Sequence, residues 1–267
     1  MQQAQPSELG QSTFVLVTGA SRGLGKAFAE TFATRKQNLV LVATSRDKLD
    51  ALASDLKDSH HILVEALECD LALPGAAGRL SQQLLDRKLR IHLLVNNAGF
   101  GARGRFLELP LERQLEMIRL NNEAIVELTY QLLPQMIESR QAGIINVSST
   151  AGFQPIPYAA LYAATKSFLT SLSLGLEQEV RPYGLRVVTL CPGRIRARSQ
   201  VEGTRKVERN FSAAYQAPEE VVLEALKVLD RGGGLVVPGF ANKIALFAQR
   251  LISRRAVPKL VEKMSRL

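Results

Sequence analysis

Short apolar runs rich in branched residues alternate with longer segments of helical period along most of this 267-residue chain. The predicted strands are Thr13–Thr18, Leu39–Ala43, Ile62–Glu65, Leu93–Asn96, Ile144–Ser148, Arg186–Cys191 and Leu235–Pro238. The predicted helices are Leu24–Arg35, Lys48–Lys57, Arg79–Arg87, Leu111–Glu138, Tyr158–Arg181 and Pro218–Asp230. Because strands alternate with helices, the pattern predicts an α/β fold with a parallel sheet, right-handed crossovers and helices on both faces. Several strands are apolar almost throughout, as expected where both faces of a sheet are covered.

The chain contains no internal repeat and no break in composition before about residue 240. We therefore expect a single domain over residues 12–240. Residues 1–11 are polar and predict a flexible tail, and residues 241–267 predict a basic amphipathic helical extension of the same domain.

The overall composition limits the classes of function. Two separate cysteines and three scattered histidines favour no metal site and fit a reducing, cytoplasmic location. No apolar run is long enough to span a bilayer, and the first residues lack the features of a signal peptide. The net charge is +9, but residues 243–267 alone contribute +6, so the charge does not indicate a nucleic-acid-binding module.

A glycine-rich loop follows the first predicted strand. Gly19 allows a sharp turn, Gly23 allows the backbone to approach a pyrophosphate, and Gly25 allows the next helix to pack on the sheet. The helix N-terminus offers free N–H groups to phosphates. The loop predicts a nucleotide site, and Ser21, Arg22 and Leu24 complete it.

The second predicted strand ends without the acidic residue that commonly binds the adenosine ribose in NAD-selective folds. Thr44, Ser45 and Arg46 stand there instead, and Arg22 faces the same region. Two guanidinium groups with hydroxyls beside them suit a 2′-phosphate, so we expect NADP(H) rather than NAD(H). The alternative is that both arginines are solvated loop residues.

Polar and small residues close the next two predicted strands. Asp70 and Leu71 follow the third strand, where the carboxylate could accept a hydrogen bond from the adenine amino group. Asn97, Ala98 and Gly99 follow the fourth strand and permit a close approach of a cofactor. Taken singly, the aspartate could cap a helix and the second group could form a turn.

Tyr162 and Lys166 are four residues apart, so they share one face of a helix, and Ser149 precedes the tyrosine by thirteen residues. An ammonium beside a phenol is expected to lower the tyrosine pKa from its usual value near ~10. The serine hydroxyl could hydrogen-bond the oxygen of a carbonyl substrate. The alternative is an amphipathic surface helix with a solvated lysine.

The ordered set of motifs resembles the short-chain dehydrogenase/reductase family over about residues 12–240. The motifs are the glycine loop, Asn96-Asn97-Ala98-Gly99, Ser149, Tyr162-xxx-Lys166 and Pro192-Gly193. The resemblance implies a Rossmann-type, doubly wound sheet of seven parallel strands and NAD(P)-dependent oxidation of alcohols or reduction of carbonyls. It also implies a homodimer or homotetramer, assembled through the long helices.

Carried over by position, the resemblance makes Tyr162 the catalytic acid/base and Ser149 the residue that orients the carbonyl. Lys166 would hold the nicotinamide ribose, and Asn121 would position a water for proton relay. Asn122 and Ser148 are the rivals of the asparagine and the serine. The cofactor-binding set implied is Gly19, Ser21, Arg22, Gly23, Leu24, Gly25, Thr44, Ser45, Arg46, Asp70, Leu71, Asn97, Ala98, Gly99, Tyr162, Lys166, Pro192, Gly193 and Ile195.

Two positions depart from the family pattern. Ala197 stands where the family often has a threonine that contacts the nicotinamide amide, and Thr44 stands where many NADP-dependent members have an arginine. The first departure concerns one cofactor contact, and the second concerns which residues bind the 2′-phosphate.

The substrate walls are expected from Phe100–Phe106, Phe153–Tyr158 and a basic lid at residues 194–216. The lid could be a solvated face, or it could attract an anionic substrate such as an acyl thioester carrying phosphates. The stretches Asn97–Leu109 and Leu235–Arg255 are similar to 3-oxoacyl-thioester reductases and hydroxysteroid dehydrogenases, which implies a bulky apolar carbonyl or alcohol substrate. The C-terminal helix could cover the substrate cleft or a subunit, or make weak peripheral contact with anionic lipid. A catalytically silent NADP-binding sensor or scaffold is the alternative of another class.

Overall fold

In the computed structural model, residues 12–139, 142–196, 215–250, 253 and 256–265 are described. Seven parallel strands form one sheet in the order β3-β2-β1-β4-β5-β6-β9. The strands of this sheet are β1 (Thr13–Thr18), β2 (Asn38–Ala43), β3 (Val64–Glu68), β4 (Arg90–Asn96), β5 (Gly143–Val147), β6 (Arg186–Leu190) and β9 (Gly234–Val236). Two short strands, β7 (Arg194–Ile195) and β8 (Tyr215–Gln216), pair separately in parallel.

The helices cover both faces of the sheet, as the alternating pattern predicts. They are α1 (Gly23–Thr34), α2 (Arg46–His60), α3 (Ala76–Asp86), α4 (Leu111–Ile118), α5 (Ala124–Ile137), α6 (Ala160–Val180), α7 (Pro218–Asp230), α8 (Phe240–Arg250) and α9 (Ala256–Ser265). One core cluster joins the sheet to α1, α2 and α7 around Phe28 and Leu226. The other joins it to α3 and α5 around Leu80 and Leu128. The doubly wound, seven-stranded fold is confirmed.

The order of the strands in the sheet determines where a ligand site is expected. The chain passes outward from β1 to β3, returns to β4 beside β1, and then continues to the opposite edge. The carboxyl ends of β1 and β4 therefore lie at the point where the strand order reverses, and ligands of open α/β sheets bind at such a point. The glycine loop follows β1 there.

The predicted single helix Leu111–Glu138 is wrong in detail. A π-helical turn, Arg119–Glu123, separates α4 from α5, and both asparagines in it are buried. Asn121 and Asn122 bond to groups outside the helix, which accounts for the wider turn. Such bulges are frequent at functional sites.

Other boundaries shift by a few residues. The strand predicted at Ile62–Glu65 is found at Val64–Glu68, because α2 continues to His60 and is followed by His61, whose φ is 53°. The strand predicted at Leu235–Pro238 is found at Gly234–Val236.

Candidate active site

Ser149 and Tyr162 meet at the carboxyl edge of the sheet. Ser149 follows β5 and caps the 3-10 turn Thr150–Phe153, where its Oγ accepts a hydrogen bond from the Ala151 N–H at 3.1 Å. Tyr162 lies in the first turn of α6, and the Ser149 side chain is close enough to its phenol to offset part of the rise that burial causes in the phenol's pKa. A carbonyl oxygen within reach of one hydroxyl would therefore be within reach of both.

Lys166 is buried one turn further along α6. Its Nζ donates a hydrogen bond to the Val147 carbonyl at 2.9 Å and lies 6.0 Å from the centroid of the Tyr162 ring. Burial lowers the pKa of Lys166 to about 8. The ammonium is thus held by the end of β5, beside the tyrosine.

The structure contradicts the expected lowering of the tyrosine pKa. Burial raises the pKa of Tyr162 above its usual value, and the hydrogen bond from Ser149 offsets this only in part. The reason is that the Lys166 ammonium points to the Val147 carbonyl, while the phenol loses solvent in the site.

Asn121 is the asparagine that faces Lys166. Its Nδ2 donates to the Phe100 carbonyl at 2.9 Å and to Thr165 Oγ1 at 3.1 Å, and its Oδ1 accepts from the Phe100 N–H. A Cβ placed on Gly99 would lie 2.9 Å from Asn121 Oδ1 and 3.5 Å from Lys166 Nζ. Both groups therefore border the same small space.

The two rival residues have structural partners instead. Asn122 Nδ2 donates to the Thr165 carbonyl at 2.9 Å. Ser148 is 3% exposed, and its Oγ donates to the Lys166 carbonyl at 2.9 Å and lies 2.7 Å from Thr170 Oγ1. Because both side chains are bonded to α6, they position that helix rather than face the site.

The glycine loop fits a dinucleotide. Gly19 and Gly23 have φ values of 65° and 56°, in the left-handed region that favours glycine. A Cβ on Gly25 would collide with the Gly19 carbonyl oxygen, whereas one on Gly23 would meet no atom within 4 Å. The loop is thus tight on its inner side and open on the outer side, where a phosphate can approach the N-terminus of α1. Ser21 and Arg22 border that open side, and Leu24 is buried beneath it.

Thr18 is the residue that sequence reasoning missed at this loop. Its Oγ1 accepts from the N–H groups of Asn97 and Ala98, both at 2.9 Å, and donates to the Val95 carbonyl. Asn97 Nδ2 in turn donates to the Thr18 carbonyl at 2.8 Å. These bonds join the ends of β1 and β4. The signal was a hydroxyl residue directly before Gly19.

Two of the residues expected to bind the adenosine end of the cofactor already have hydrogen-bond partners within the protein. Arg46 Nε donates to Asp50 Oδ2 at 2.7 Å along α2. Asp70 Oδ1 accepts from the Ala72 N–H at 3.0 Å, which closes a local turn. Arg22 and Thr44 are exposed, Ser45 stands at the N-terminus of α2, and Leu71 is buried.

Pro192 supports the turn that begins at Ser149, because its carbonyl accepts from the Thr150 N–H at 3.0 Å. A Cβ on Gly193 would lie 2.6 Å from Asn242 Nδ2, so α8 packs directly on this segment. Ile195 pairs with Gln216 in the short second sheet. Ala197 and most of the expected lid at residues 194–216 lie outside the described residues.

The two expected substrate walls are joined at one end, where the Gly104 N–H donates to the Tyr158 carbonyl at 2.8 Å, but they differ in what they line. The Phe100–Phe106 segment approaches the reacting tyrosine, since a Cβ on Gly101 would lie 3.0 Å from Tyr162 Cδ2. Phe153 and the following prolines instead line a cleft of about 1300 Å³ on another face of α6, under α8 and α9. Among the described residues, no group of three or more His, Cys, Asp or Glu side chains could hold a metal ion.

The fold and this arrangement define an α/β protein with a dinucleotide site at the sheet's switch point. The family model of short chain dehydrogenases matches residues 13–208. The chain belongs to the short-chain dehydrogenase/reductase family.

Similar proteins include reductases of long acyl chains. A very-long-chain 3-oxoacyl-CoA reductase of Pyrenophora tritici-repentis is 30% identical over 84% of this chain and 65% of its own length. The human very-long-chain 3-oxoacyl-CoA reductase is 32% identical over 68% of this chain. This chain spans 59% of that human relative, so it matches less than two thirds of either protein.

Two solved structures are similar over most of their length. A short-chain dehydrogenase from Sphingobium yanoikuyae in complex with NADPH is 34% identical, with a TM-score of 0.77 over 90% of this chain and 94% of that one. A bulky-bulky ketone specific alcohol dehydrogenase from Comamonas testosteroni is 27% identical, with a TM-score of 0.75 over 93% of this chain and all of that one.

Proposed function

We propose that this protein is an NADP(H)-dependent oxidoreductase that interconverts a ketone and a secondary alcohol on a bulky apolar substrate. The observation that carries the proposal is the convergence of the Ser149 hydroxyl, the Tyr162 phenol and the buried Lys166 ammonium at the carboxyl edge of the sheet, the edge that also carries the glycine loop. A 3-oxoacyl thioester is the leading substrate class, supported by the named activity of the curated relatives. A hydroxysteroid or other lipophilic alcohol is the alternative.

In the reductive direction, Tyr162 gives its proton to the substrate oxygen. Ser149 donates a hydrogen bond to that oxygen as negative charge develops on it, which is where a preorganised donor has the largest effect. A bound nicotinamide cofactor would supply the hydride to the carbonyl carbon. Because burial holds the Tyr162 pKa above its usual value, the phenol is protonated at neutral pH and ready to act as the acid.

Lys166 and Asn121 would restore the proton on Tyr162. The lysine ammonium and the asparagine Oδ1 both lie beside Gly99, and a water that bridges them would carry the proton. With a pKa of about 8, Lys166 can exchange a proton near neutral pH more readily than an exposed lysine. The ammonium would also hydrogen-bond the nicotinamide ribose.

The glycine loop would bind the pyrophosphate, and the remaining cofactor contacts would follow the strand ends at Asp70–Leu71, Asn97–Gly99 and Pro192–Ile195. Arg22 and Arg46 would bind the 2′-phosphate of NADP(H). Asp50 holds Arg46 at the surface, 55% exposed, and the phosphate would replace or share that ion pair. Replacing Arg22 and Arg46 together by Ala should raise the Kd for NADPH strongly and leave the Kd for NADH nearly unchanged.

The direct test is a substrate panel with full-length protein, scored by consumption of NADPH and NADH. We expect turnover of 3-oxoacyl-CoA compounds of medium and long chain with NADPH, and slower turnover of short ketones. Equal activity on hydroxysteroids would favour the alternative substrate class. Binding of NADPH without turnover of any carbonyl compound would favour the silent sensor.

The assembly and location are part of the proposal. The exposed side chains of Leu111, Val126, Tyr130 and Phe168 on α4, α5 and α6 support a homodimer or homotetramer built through these helices. No described helix has the length and apolar content to cross a bilayer. We propose a cytoplasmic enzyme whose basic C-terminal helices make weak contact with anionic lipid.

A further inference from the structure

The cleft of about 1300 Å³ between α6, the Thr150–Phe153 turn and the two C-terminal helices is separate from the reacting groups. At about 100° per residue, Ser167 and Ser171 lie roughly 140–180° around α6 from Tyr162. Ser149, Tyr162 and Lys166 do not line the cleft. A ligand in it would contact the back of the turn that carries Ser149.

Hydrogen bonds hold the helices α8 and α9 over this cleft. Gln249 Nε2 donates to the Phe153 carbonyl at 2.8 Å, and the Tyr158 hydroxyl donates to Glu262 Oε1 at 3.4 Å. Val257 of α9 is only 4% exposed. Both C-terminal helices are therefore held to the Phe153–Tyr158 segment, and the space beneath them is part of the fold.

The walls of the cleft are apolar. Phe153, Pro155, Ile156, Val237 and Leu246 are among the lining residues. Three polar side chains of the lining are bonded within the protein: Ser167 Oγ donates to the Gly152 carbonyl, Thr170 Oγ1 to the Lys166 carbonyl and Gln249 Nε2 to the Phe153 carbonyl. A volume above the roughly 300–1,000 Å³ of common ligand pockets, with walls of this kind, suits a long alkyl chain.

One positive charge stands at the cleft. Lys243 is the one formally charged residue in the described lining, it is exposed, and no described carboxylate forms an ion pair with it. Phe247, beside it on α8, is 66% exposed. An exposed phenyl ring, and an ammonium with no carboxylate partner in the described part of the chain, match a ligand with an alkyl chain and an anionic head.

We infer that this cleft is a second ligand site, distinct from the reaction site, that binds a single-chain anionic amphiphile of the fatty-acid class. The alkyl chain lies between α6 and α8, and the carboxylate pairs with Lys243. The inference does not require the proposed reaction, because the cleft shares no reacting group with it.

The test is calorimetric titration of dodecanoate, below its micellar concentration, into full-length protein saturated with NADPH. We expect one site per chain and an affinity that rises roughly fourfold per methylene from octanoate to dodecanoate. Ala164→Trp, which fills the cleft from an exposed position of α6, should weaken binding by at least about tenfold. Gln178→Trp, an exposed position of the same helix outside the lining, should leave binding unchanged.

A comparison of dodecanoate with dodecanol, whose head group is uncharged, tests the role of the Lys243 charge. Lys243→Glu should weaken dodecanoate about fivefold or more and leave dodecanol nearly unchanged, whereas Lys227→Glu on α7 should change neither. Ser171→Trp replaces Ala164→Trp if circular dichroism shows that the latter is unfolded.

Three results would overturn the inference. The first is that dodecanoate binds Ala164→Trp as tightly as it binds wild type. The second is that a ketone substrate competes with dodecanoate, which would place dodecanoate in the reaction site. A cleft covered by a second copy of the chain would show no dodecanoate binding and a dimer that Ala164→Trp dissociates.

Discussion

Two adjacent serines after β5 have opposite surroundings, and their variants separate catalysis from stability. Ser149 is bonded to Tyr162, whereas Ser148 is bonded to the Lys166 carbonyl and Thr170. Ser149→Ala should lower kcat by ~10²–10³-fold with little change in the Kd for NADPH, because it removes a donor to the developing oxyanion. Steady-state kinetics and NADPH fluorescence titration measure the two quantities.

Ser148→Ala is the matched control. It removes the buried contacts of the Ser148 hydroxyl with the Lys166 carbonyl and Thr170 Oγ1, and should lower the free energy of unfolding by about 1–3 kcal/mol while kcat stays within a few-fold. If Ser148→Ala abolished turnover in folded protein and Ser149→Ala did not, the assignment of the two serines would be reversed.

Burial of the Lys166 ammonium should lower the free energy of unfolding. Its pKa in the folded chain, about 8, lies below the ordinary value of 10.5, so between these values the unfolded chain binds more protons than the native chain. The free energy of unfolding contributed by this group therefore rises with pH from about 8 to 10.5 and is constant below that range. Lys166→Met should raise stability at pH 7 by about 1–3 kcal/mol and lower kcat severely.

Urea unfolding of wild type and Lys166→Met at about pH 7 and about pH 9.5 measures this effect. The stability difference between the two proteins should shrink at the higher pH. A difference that grew with pH, or a Lys166→Met protein less stable at pH 7, would contradict the stated protonation of Lys166.

At the scale of elements, the turn between β1 and α1 depends on a glycine that the helix itself does not require. A Cβ at Gly25 would collide with the Gly19 carbonyl, whereas a Cβ at Gly175 in α6 meets nothing within 4 Å. Gly25→Ala should therefore lower stability by about 1–3 kcal/mol and weaken NADPH binding, because α1 must move from the loop. Gly175→Ala should raise stability by about 0.5–1 kcal/mol and leave NADPH binding unchanged.

Differential scanning calorimetry and NADPH titration of both variants check this prediction. An unchanged Kd for NADPH in Gly25→Ala would mean that the loop does not bind the cofactor through this packing.

Elements marked by a clear local sequence pattern could be predicted from the sequence. Apolar runs located the sheet, and glycines after β1 located the loop. The π-helical turn at Arg119–Glu123 was not, since its cause is a set of bonds from Asn121 and Asn122 to residues 20 to 45 places away. The edge strand β3 was misplaced for a similar reason, because only pairing with β2 sets its register.

At the scale of the whole molecule, sequence predicted which residues meet but not the directions of their side chains. Ser149 lies near the Tyr162 phenol, and Asn121 lies beside Gly99 with Lys166, while the catalytic roles of these residues stay predictions. The direction of the Tyr162 pKa shift was wrong, because it depends on the burial of the phenol and on the Val147 carbonyl that holds Lys166. The sequence also did not show that residues 153–157 line a separate cleft, because that cleft is formed by the packing of α8 and α9 near α6.

The C-terminal helices are expected to bind anionic lipid weakly. Phe240 and Phe247 of α8 are 78% and 66% exposed, and Lys243 lies between them. Vesicles that contain phosphatidylserine should co-sediment with the full chain more than vesicles of phosphatidylcholine alone, and added salt should reduce the difference. Equal co-sedimentation by Phe247→Ser and Lys243→Glu variants would dismiss the contact.

The most direct test of the proposed reaction compares Tyr162→Phe with wild type on a 3-oxoacyl-CoA substrate, with NADPH binding and NADPH consumption measured on the same samples. The variant keeps the ring and its packing and loses only the hydroxyl. We predict an unchanged Kd for NADPH and a kcat lowered by at least ~10²-fold, because a general acid contributes about that much. Near-normal turnover in a folded Tyr162→Phe protein would contradict the account.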